Sequence, residues 1–367
     1  MSILPDIQAV LSGESQGCVV CARAEDVLPT LPDGSVDLIA VDPPYFRVKS
    51  EPWDRQWDTT DGFIGWLGAL CQQWQRILKQ NGSLYCFASP KMAARVEVEI
   101  GKWFNVLNQI VWLKDDGAGG GRHCHACKEE LRSFFPRTER IIFAEHVGAD
   151  NTAKGEAGYI AKCDELRGFV FEPLRAYLAD EMQNAGFNKV KVNAAWQAEK
   201  GGNGGMASHW FSTSQWALPT HRNYKWLRAL FNAGGDGHLR REYEDLRREY
   251  EDLRRPFAVT ADVAYTDVWE FATVPGREGK HVCEKPMAIM EHIVRSSTRE
   301  KAVVVDCMAG SGSTLQAAKN LGRRYIGVEL DPKWANRARR RLAATPRPLF
   351  QPEAKRAENP KLWEDTP

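Results

Sequence analysis

The sequence predicts an α/β protein: a mostly parallel sheet with helices on both faces. Three observations carry that expectation. Apolar runs of strand length recur at residues 37–41, 83–88, 106–113, 140–145, 302–306 and 325–329. Stretches with helical spacing of apolar residues lie between several of them. Near the end of the chain a glycine loop, Asp306-Cys307-Met308-Ala309-Gly310-Ser311-Gly312-Ser313, leads from a strand into a helix. Strands that alternate with helices form parallel sheets.

The first run, 37–41, stops at Asp42-Pro43-Pro44-Tyr45, and a proline pair ends a buried strand abruptly. Residues 61–79 place Phe63, Trp66, Leu67, Leu70, Trp74, Ile77 and Leu78 at helical spacing, with Asn81-Gly82 as the expected stop. Residues 83–88 read as a strand, 91–103 as a helix, and 106–113 and 140–145 as further strands. A long glycine-rich, basic loop from Lys114 to Arg137 interrupts the pattern; loops of that length tend to be functional. Residues 172–198 read as helical with a break near Gly186, and 222–232 as helical again. Residues 241–247 (REYEDLR) recur unchanged at 248–254. Tyr243, Leu246, Tyr250 and Leu253 then fall at a/d spacing, and Arg241–Asp245, Glu244–Arg248 and Glu251–Arg255 are opposite charges four apart. Two heptads are too few for a coiled coil, so this helix is expected to pack its apolar stripe on its own domain, with a dimer or DNA-facing helix as the alternative. The alternation returns with a strand at 302–306, a helix at 314–321, a strand at 325–329 and a basic helix at 333–342.

At 367 residues the chain accommodates a large domain and a smaller one. Apolar content of 43% and charged content of 26% are those of an ordinary globular protein, and no apolar stretch approaches a membrane span. A cytoplasmic protein with no membrane partner is the expectation. The net charge of +1 argues neither for nor against nucleic acid, since a local basic groove suffices. Nine scattered cysteines read as reduced thiols. His123-Cys124-His125-Ala126-Cys127 contains a single C-x-x-C with no second pair at zinc spacing, so no metal is expected.

Two motifs carry chemistry. Glycines between a strand and a helix let the backbone approach a ligand closely. Glu329 ends the next strand, 17 positions after Gly312, where a carboxylate can accept hydrogen bonds from ribose hydroxyls. The loop lacks both the dinucleotide pattern and the Gly-Lys-Ser/Thr of a P-loop, so it fits a nucleoside cofactor. In Asp42-Pro43-Pro44-Tyr45 the prolines stiffen the chain and remove donors. The Asp42 carboxylate and the Pro43 carbonyl then make a rigid acceptor pair suited to an –NH2 group, and Tyr45 offers a face for a base.

These motifs, in this order, resemble the amino-directed DNA methyltransferases of the permuted β group. Leu31-Pro32-Asp33-Gly34-Ser35-Val36-Asp37-Leu38-Ile39, His281-Val282-Cys283-Glu284-Lys285-Pro286 and Gly322-Arg323-Arg324-Tyr325-Ile326-Gly327-Val328-Glu329-Leu330-Asp331 are also similar to that group's segments. The resemblance covers roughly residues 18–145 and 262–343. It implies a Rossmann-like, S-adenosylmethionine-dependent methyltransferase sheet, circularly permuted, with an inserted helical target-recognition region. Residues 1–150 would form the catalytic half, 151–260 the recognition region, 261–345 the cofactor half and 346–367 a loosely ordered tail. Asp42, Pro43, Pro44 and Tyr45 would hold the target amine. Asp306, Met308, Ala309, Gly310, Ser311 and Gly312 would line the cofactor loop, Glu329 would bind the ribose, and Lys285 and Pro286 would lie near the methionine end.

Two departures stand out. Met308 replaces the group's usual Phe. Ala22-Arg23 stands where the group often has Gly-Asp, and Glu25 or Asp26 is the expected substitute. In the middle region Glu172–Trp196 is loosely similar to a helix-turn-helix, with Lys189, Lys191 and Asn193 as candidate groove residues. Ser208-His209-Trp210-Phe211, Ser214–Thr220 and Tyr224 resemble a stretch of phage and bacterial members. Packing without base contact is an equally weighted reading there.

The implied reaction is methylation of DNA at N6 of a flipped-out adenine, by an enzyme of a group whose members are often homodimers. N4-cytosine methylation uses similar geometry, although such enzymes more often carry Ser at the position of Asp42. Methylation of protein or RNA is a third reading, and a non-catalytic DNA-binding regulator is a fourth.

Overall fold

The computed structural model describes residues 2–115, 134, 137–146, 171–201, 205–212, 216–235, 237–254, 256–257, 266–276 and 280–346. The cysteine–histidine cluster at 123–127, most of the basic loop and the tail beyond residue 346 lie outside the described residues. The chain divides into two compact units, Met1–His146 with Pro256–Pro367, and Val147–Arg255.

The first unit is built on one eight-stranded sheet, ordered β1-β8-β7-β2-β3-β5-β4-β6. Its strands are β1 (Gly17–Cys21), β2 (Val36–Val41), β3 (Leu78–Ala88), β4 (Phe104–Asp115), β5 (Thr138–His146), β6 (Val268–Ala272), β7 (Val303–Asp306) and β8 (Arg324–Glu329). Only the β3–β5 and β4–β5 pairs are antiparallel. The central strands are apolar in nearly every position because both their faces are covered. Successive side chains point to opposite faces. Ile39 and Val41 pack with the helices Thr60–Ile77 and Ala93–Ile100, whereas Leu38 and Ala40 pack with Met287–Ser297, Ser313–Asn320 and Pro332–Ala344. Each face of the sheet thus has its own core.

Every strand anticipated from the sequence is present. β1 and β6 were not anticipated: they are five-residue edge strands, and strands so short leave little pattern. Gly17 of β1 lies against the Tyr325 ring of β8, where a Cβ would come within 2.1 Å of the ring.

One stop signal is corrected. Asn81-Gly82 does not end the helix Thr60–Ile77. The chain turns extended at Leu78 (φ −71°, ψ 134°) and enters β3 directly. Val36 pairs with Leu78 and Leu38 with Ser83, so residues 79–82 form a bulge inside the strand. A Cβ on Gly82 would stand 2.6 Å from Leu78 Cγ, so glycine lets the bulge fold over that buried side chain.

The second unit is helical among its described residues: Glu172–Asn184, Lys189–Lys200, Met206–Phe211, His221–Phe231 and Tyr243–Leu253. Gly186, at φ +73°, makes the expected break between the first two. Leu174, Leu178, Trp210, Phe211, Trp216, Tyr224 and Leu246 form its core. The duplicated heptad packs its stripe inward, with Leu246 fully buried and Tyr243, Tyr250 and Leu253 against it. Two of its ion pairs differ from the expected ones, and the third, Glu251–Arg255, lies outside the described residues. Arg241 precedes the helix and reaches Glu249, and Arg248 pairs with Asp245. Leu246→Ala is expected to lower the stability of this unit by about 2–5 kcal/mol, as measured by urea denaturation.

Candidate active site

β2 and β7 are neighbours, with Leu38 opposite Val304 and Ile39 opposite Val305. Both run in the same direction, so the Asp42–Tyr45 loop and the Asp306–Ser313 loop leave the sheet side by side. This is the carboxyl edge of parallel strands, where ligands bind in open α/β sheets. β8 adds Glu329 at the same edge. The result is one cleft lined by residues from all three.

Of the residues singled out in the sequence, Asp42, Pro43, Pro44, Tyr45, Lys285, Asp306, Met308, Ala309, Gly310, Ser311 and Glu329 line this cleft. Gly312 and Pro286 stand behind it. Gly312 adopts φ +83° at the start of the helix Ser313–Asn320, and a Cβ there would lie 3.0 Å from Ala338 Cβ. Its place is therefore explained by helix packing. Pro286 caps the helix Met287–Ser297.

The glycine loop is held from both ends. Glu329 accepts the Gly310 N–H through Oε2 at 2.7 Å and the Asp331 N–H through Oε1 at 2.8 Å. Arg341 reaches from the last helix to Glu284 Oε1 at 3.1 Å and to the Ser311 and Ser313 hydroxyls at 3.3 Å. It ties the loop to the segment that carries Lys285. Met308 donates its backbone N–H to Asp306 Oδ1. Burial pushes the Asp306 carboxyl up to about 7, and Glu329 is raised by the same cause. Of the two expected substitutes near the N-terminus, Glu25 lines the cleft and accepts the Trp66 indole N–H at 2.7 Å, whereas Asp26 is exposed and outside it. Burial works to raise Glu25, but its own backbone amide, Trp66 and Arg23 together hold it low and ionised.

The proline loop is strained and clamped. Phe46 and Arg47 both have positive φ, at 58° and 61°, a conformation that costs non-glycine residues free energy. Asp54, fully buried, holds the turn: its carboxylate accepts the Tyr45 N–H at 2.6 Å and the Lys49 N–H at 2.5 Å. Neither that clamp nor its role is visible in the motif.

Around Asp42 the structure assembles a charge cluster that sequence spacing did not reveal. Lys285 Nζ lies 2.6 Å from Asp42 Oδ2, donates to the Tyr45 hydroxyl at 3.2 Å and stands 3.3 Å from Glu139 Oε2. The Tyr45 hydroxyl donates to Glu139 at 3.0 Å. Asp42 Oδ1 is buried and has no hydrogen-bond partner among the described residues. Burial raises the Asp42 carboxyl, and nearby Glu139 adds to the rise against the pull of Lys285. His281 stacks on Trp53 and meets Trp334 edge-on at the cleft. Burial, with the Lys285 charge beside it, lowers its pKa to about 4, so it is neutral at physiological pH.

Residues 36–340 match the N6/N4 DNA methylase family. The chain belongs to that family. The methylase is thus an enzyme of the class that transfers methyl groups from S-adenosylmethionine to DNA. It is 24% identical over 322 residues to the type II methyltransferase M1.MboII of Moraxella bovis, a match that covers 85% of this chain and 91% of that one. It is 23% identical over 336 residues to the DNA adenine methyltransferase YhdJ of Escherichia coli K12, covering 90% and 84%. A DNA modification methylase of Thermus thermophilus, solved in complex with S-adenosylmethionine, superposes with a TM-score of 0.46 at 19% identity, covering 91% and 96%.

For the methylase's second unit, groove contact and packing without base contact were equally weighted readings. Lys189 and Lys191 are exposed on the helix Lys189–Lys200 and bond to Ser212 and to the Gly186 carbonyl. Asn193 is half-buried. Trp210, Phe211, Trp216 and Tyr224 are core residues, so packing accounts for these aromatics. Among the described residues no group of three or more His, Cys, Asp or Glu could hold a metal ion, and no helix is long and apolar enough to cross a membrane.

Proposed function

We propose that this methylase transfers the methyl group of S-adenosylmethionine to N6 of an adenine flipped out of DNA, at a specific sequence read by its second unit. The observation that carries the reading is the buried, unpartnered Asp42 Oδ1 beside Tyr45, in the same cleft as the glycine loop. A buried acceptor without a partner costs free energy unless a ligand satisfies it. An exocyclic amine brings the missing donor.

The cleft also fits the cofactor. Two carboxylates, Asp306 and Glu329, face it at strand ends, one suited to an ammonium and the other to ribose hydroxyls. When bound, the cofactor supplies a methyl group made electrophilic by a positive sulfur. The protein's own contribution is position and electrostatics. Asp42 and the rigid Pro43 carbonyl hold the amine hydrogens, which turns the nitrogen lone pair out of the ring. Tyr45 presents its face to the base, and its hydroxyl is fixed by Glu139 and Lys285.

Adenine is favoured by Asp at position 42 and by the relative named as a DNA adenine methyltransferase. We assign residues 1–150 and 261–345 to the permuted catalytic and cofactor halves, residues 151–260 to target recognition and 346–367 to a tail. Deletion of the second unit is then expected to abolish site-specific methylation and to leave cofactor binding in place.

The reading is tested by incubating the protein with labelled S-adenosylmethionine and unmethylated genomic DNA, then analysing the nucleosides by mass spectrometry. N6-methyl-2′-deoxyadenosine is the expected product. N4-methylcytosine would overturn the base assignment, and no modified base would overturn the reading as a whole.

Cofactor affinity should depend on pH through Asp306. Its carboxyl is protonated below about 7 in the free protein and must ionise to meet a cationic ligand. Affinity therefore rises as pH increases toward 7, by up to about tenfold per unit, and levels off above it. Calorimetric titration from pH 5.5 to 8.5 checks this, and Asp306→Asn is expected to bind more weakly with a flatter profile.

A further inference from the structure

Glu139 belongs to neither motif, lies on β5 two strands away from β2, and yet meets both halves of the site. Its Oε2 accepts the Tyr45 hydroxyl at 3.0 Å and faces Lys285 Nζ at 3.3 Å. Its Oε1 pairs with Lys114 Nζ at 2.5 Å. Charges therefore alternate along one line: Lys114, Glu139, Lys285, Asp42. The Lys285 side chain is 8% exposed, and its ammonium also lies over the Phe87 ring at 4.9 Å and the Tyr45 ring at 5.2 Å.

We propose that Glu139 is a positioning residue, the standing counter-ion that keeps Lys285 charged and in place while Asp42 takes up the proton released by the target amine. The proposal rests on the methyl-transfer reading above. In that reaction the bond from nitrogen to methyl carbon forms as the sulfur–carbon bond breaks, and the electron pair stays on sulfur. The nitrogen then loses one hydrogen as a proton. Asp42 is the carboxylate beside the amine and accepts it, becoming a neutral acid, and passes it to solvent as product leaves.

At that moment Lys285 loses its partner at 2.6 Å. A buried ammonium without a counter-ion would move or deprotonate. Glu139 is already within 3.3 Å on the other side and is anchored by Lys114, so the ammonium stays put and Tyr45 keeps its orientation.

The two carboxylates are set apart for these roles. Burial raises Asp42, which favours proton uptake. Burial also works to raise Glu139, but Lys285 and Lys114 outweigh it and hold it at about 2, so it remains ionised throughout. Asp306, at about 7, also interacts with Asp42, so the kcat profile is read at saturating S-adenosylmethionine; nearer Lys285, Tyr45 is raised by burial and hydrogen-bonded. The remaining titratable neighbours are Cys283, pushed up to about 11, and His281, held at about 4. Neither changes charge between about pH 5 and pH 9.

The test compares wild type with Glu139→Gln and Glu139→Asp. Gln is expected to lower kcat roughly 10- to 100-fold, with KM for S-adenosylmethionine unchanged within about twofold. The Glu139 charge raises the Asp42 pKa, so its removal should shift the acid limb of the kcat–pH profile to lower pH. Glu139→Asp should keep the limb near its wild-type position. An unmoved limb in Glu139→Gln, or a loss confined to KM, overturns the proposal.

A carboxyl-carbon NMR titration of the wild-type protein supplies a readout that needs neither turnover nor a folded variant. Asp42 should take up a proton at higher pH than Glu139. The reverse order overturns the proposal, whereas a wild type that methylates no DNA overturns the activity assigned above and leaves the titration to judge Glu139.

Discussion

Asp42→Ala removes methylation, by roughly 10²–10³-fold or more in kcat, without unfolding the protein. The loss follows from geometry. Asp42 supplies the buried acceptor, Oδ1, that has no other partner among the described residues, and it is the only carboxylate of the loop. Alanine leaves the cofactor's side of the cleft untouched, so S-adenosylmethionine should bind within a fewfold of wild type. The effect on stability has the opposite sign to what a buried ion pair suggests. The Asp42 carboxyl is raised in the folded protein, because burial outweighs the pull of Lys285. A carboxylate with a raised pKa contributes stability when protonated and loses it as pH climbs through the window between its unfolded and folded values. Wherever Asp42 is ionised it is thus a destabilising element, and Lys285 keeps Glu139 when it is gone. The melting temperature of Asp42→Ala at pH 8 should equal or exceed that of wild type. A clear fall would show that the ion pair stabilises the fold. Asp42→Asn retains one acceptor and should fall between wild type and alanine in activity.

Lys285→Met should have the largest effect on stability. It removes a buried cation that serves two carboxylates and leaves both in a poorly solvated site. Breaking such an arrangement from one side costs about 3–5 kcal/mol. The sign with pH again follows from linkage. Without the ammonium, the folded-state pKa of Asp42 rises further, so the penalty is greatest at alkaline pH and eases as pH falls and Asp42 takes up a proton. Urea denaturation at pH 5 and pH 8 should therefore show a smaller difference from wild type at pH 5. Combining Lys285→Met with Asp42→Ala should be less destabilising than Lys285→Met alone, since the second change removes a charge that the first left unpaired. Methylation should fall in both, because loss of Lys285 raises the Asp42 carboxyl further and disfavours its ionised form, and the double variant lacks Asp42 altogether.

The site was legible in the sequence to an unequal degree. Asp42–Tyr45, the 306–312 loop and Glu329 could be read because each is a short continuous run whose backbone does the work. Prolines stiffen one loop, glycines open the other, and a carboxylate closes a strand. Asp54, Glu139, Trp53 and Trp334 could not be read in the same way. Each acts through a side chain that arrives from a different element, and no local spacing announces that. Lys285 is the intermediate case: its Lys-Pro signal was visible, but its contact with Asp42, 243 positions earlier, was not. The bulge at residues 79–82 shows the same limit in the fold. Asn81-Gly82 was read as the end of a helix, and only the pairing of Val36 with Leu78 and of Leu38 with Ser83 decides that it lies in a bulge inside a strand.

The sequence by itself determined the α/β class, six of the eight strands and the two loops that line the cleft. Period-two and helical patterns, prolines and glycines act over a few residues, and physics that is local can be read locally. Tertiary structure alone decided which strands are neighbours and therefore that β2 and β7 bring the proline and glycine loops to one cleft. It also decided that Lys285 is shared between Asp42 and Glu139. Burial and charge pairing depend on distances through space between residues far apart in the chain, and those distances exist only once the sheet has formed.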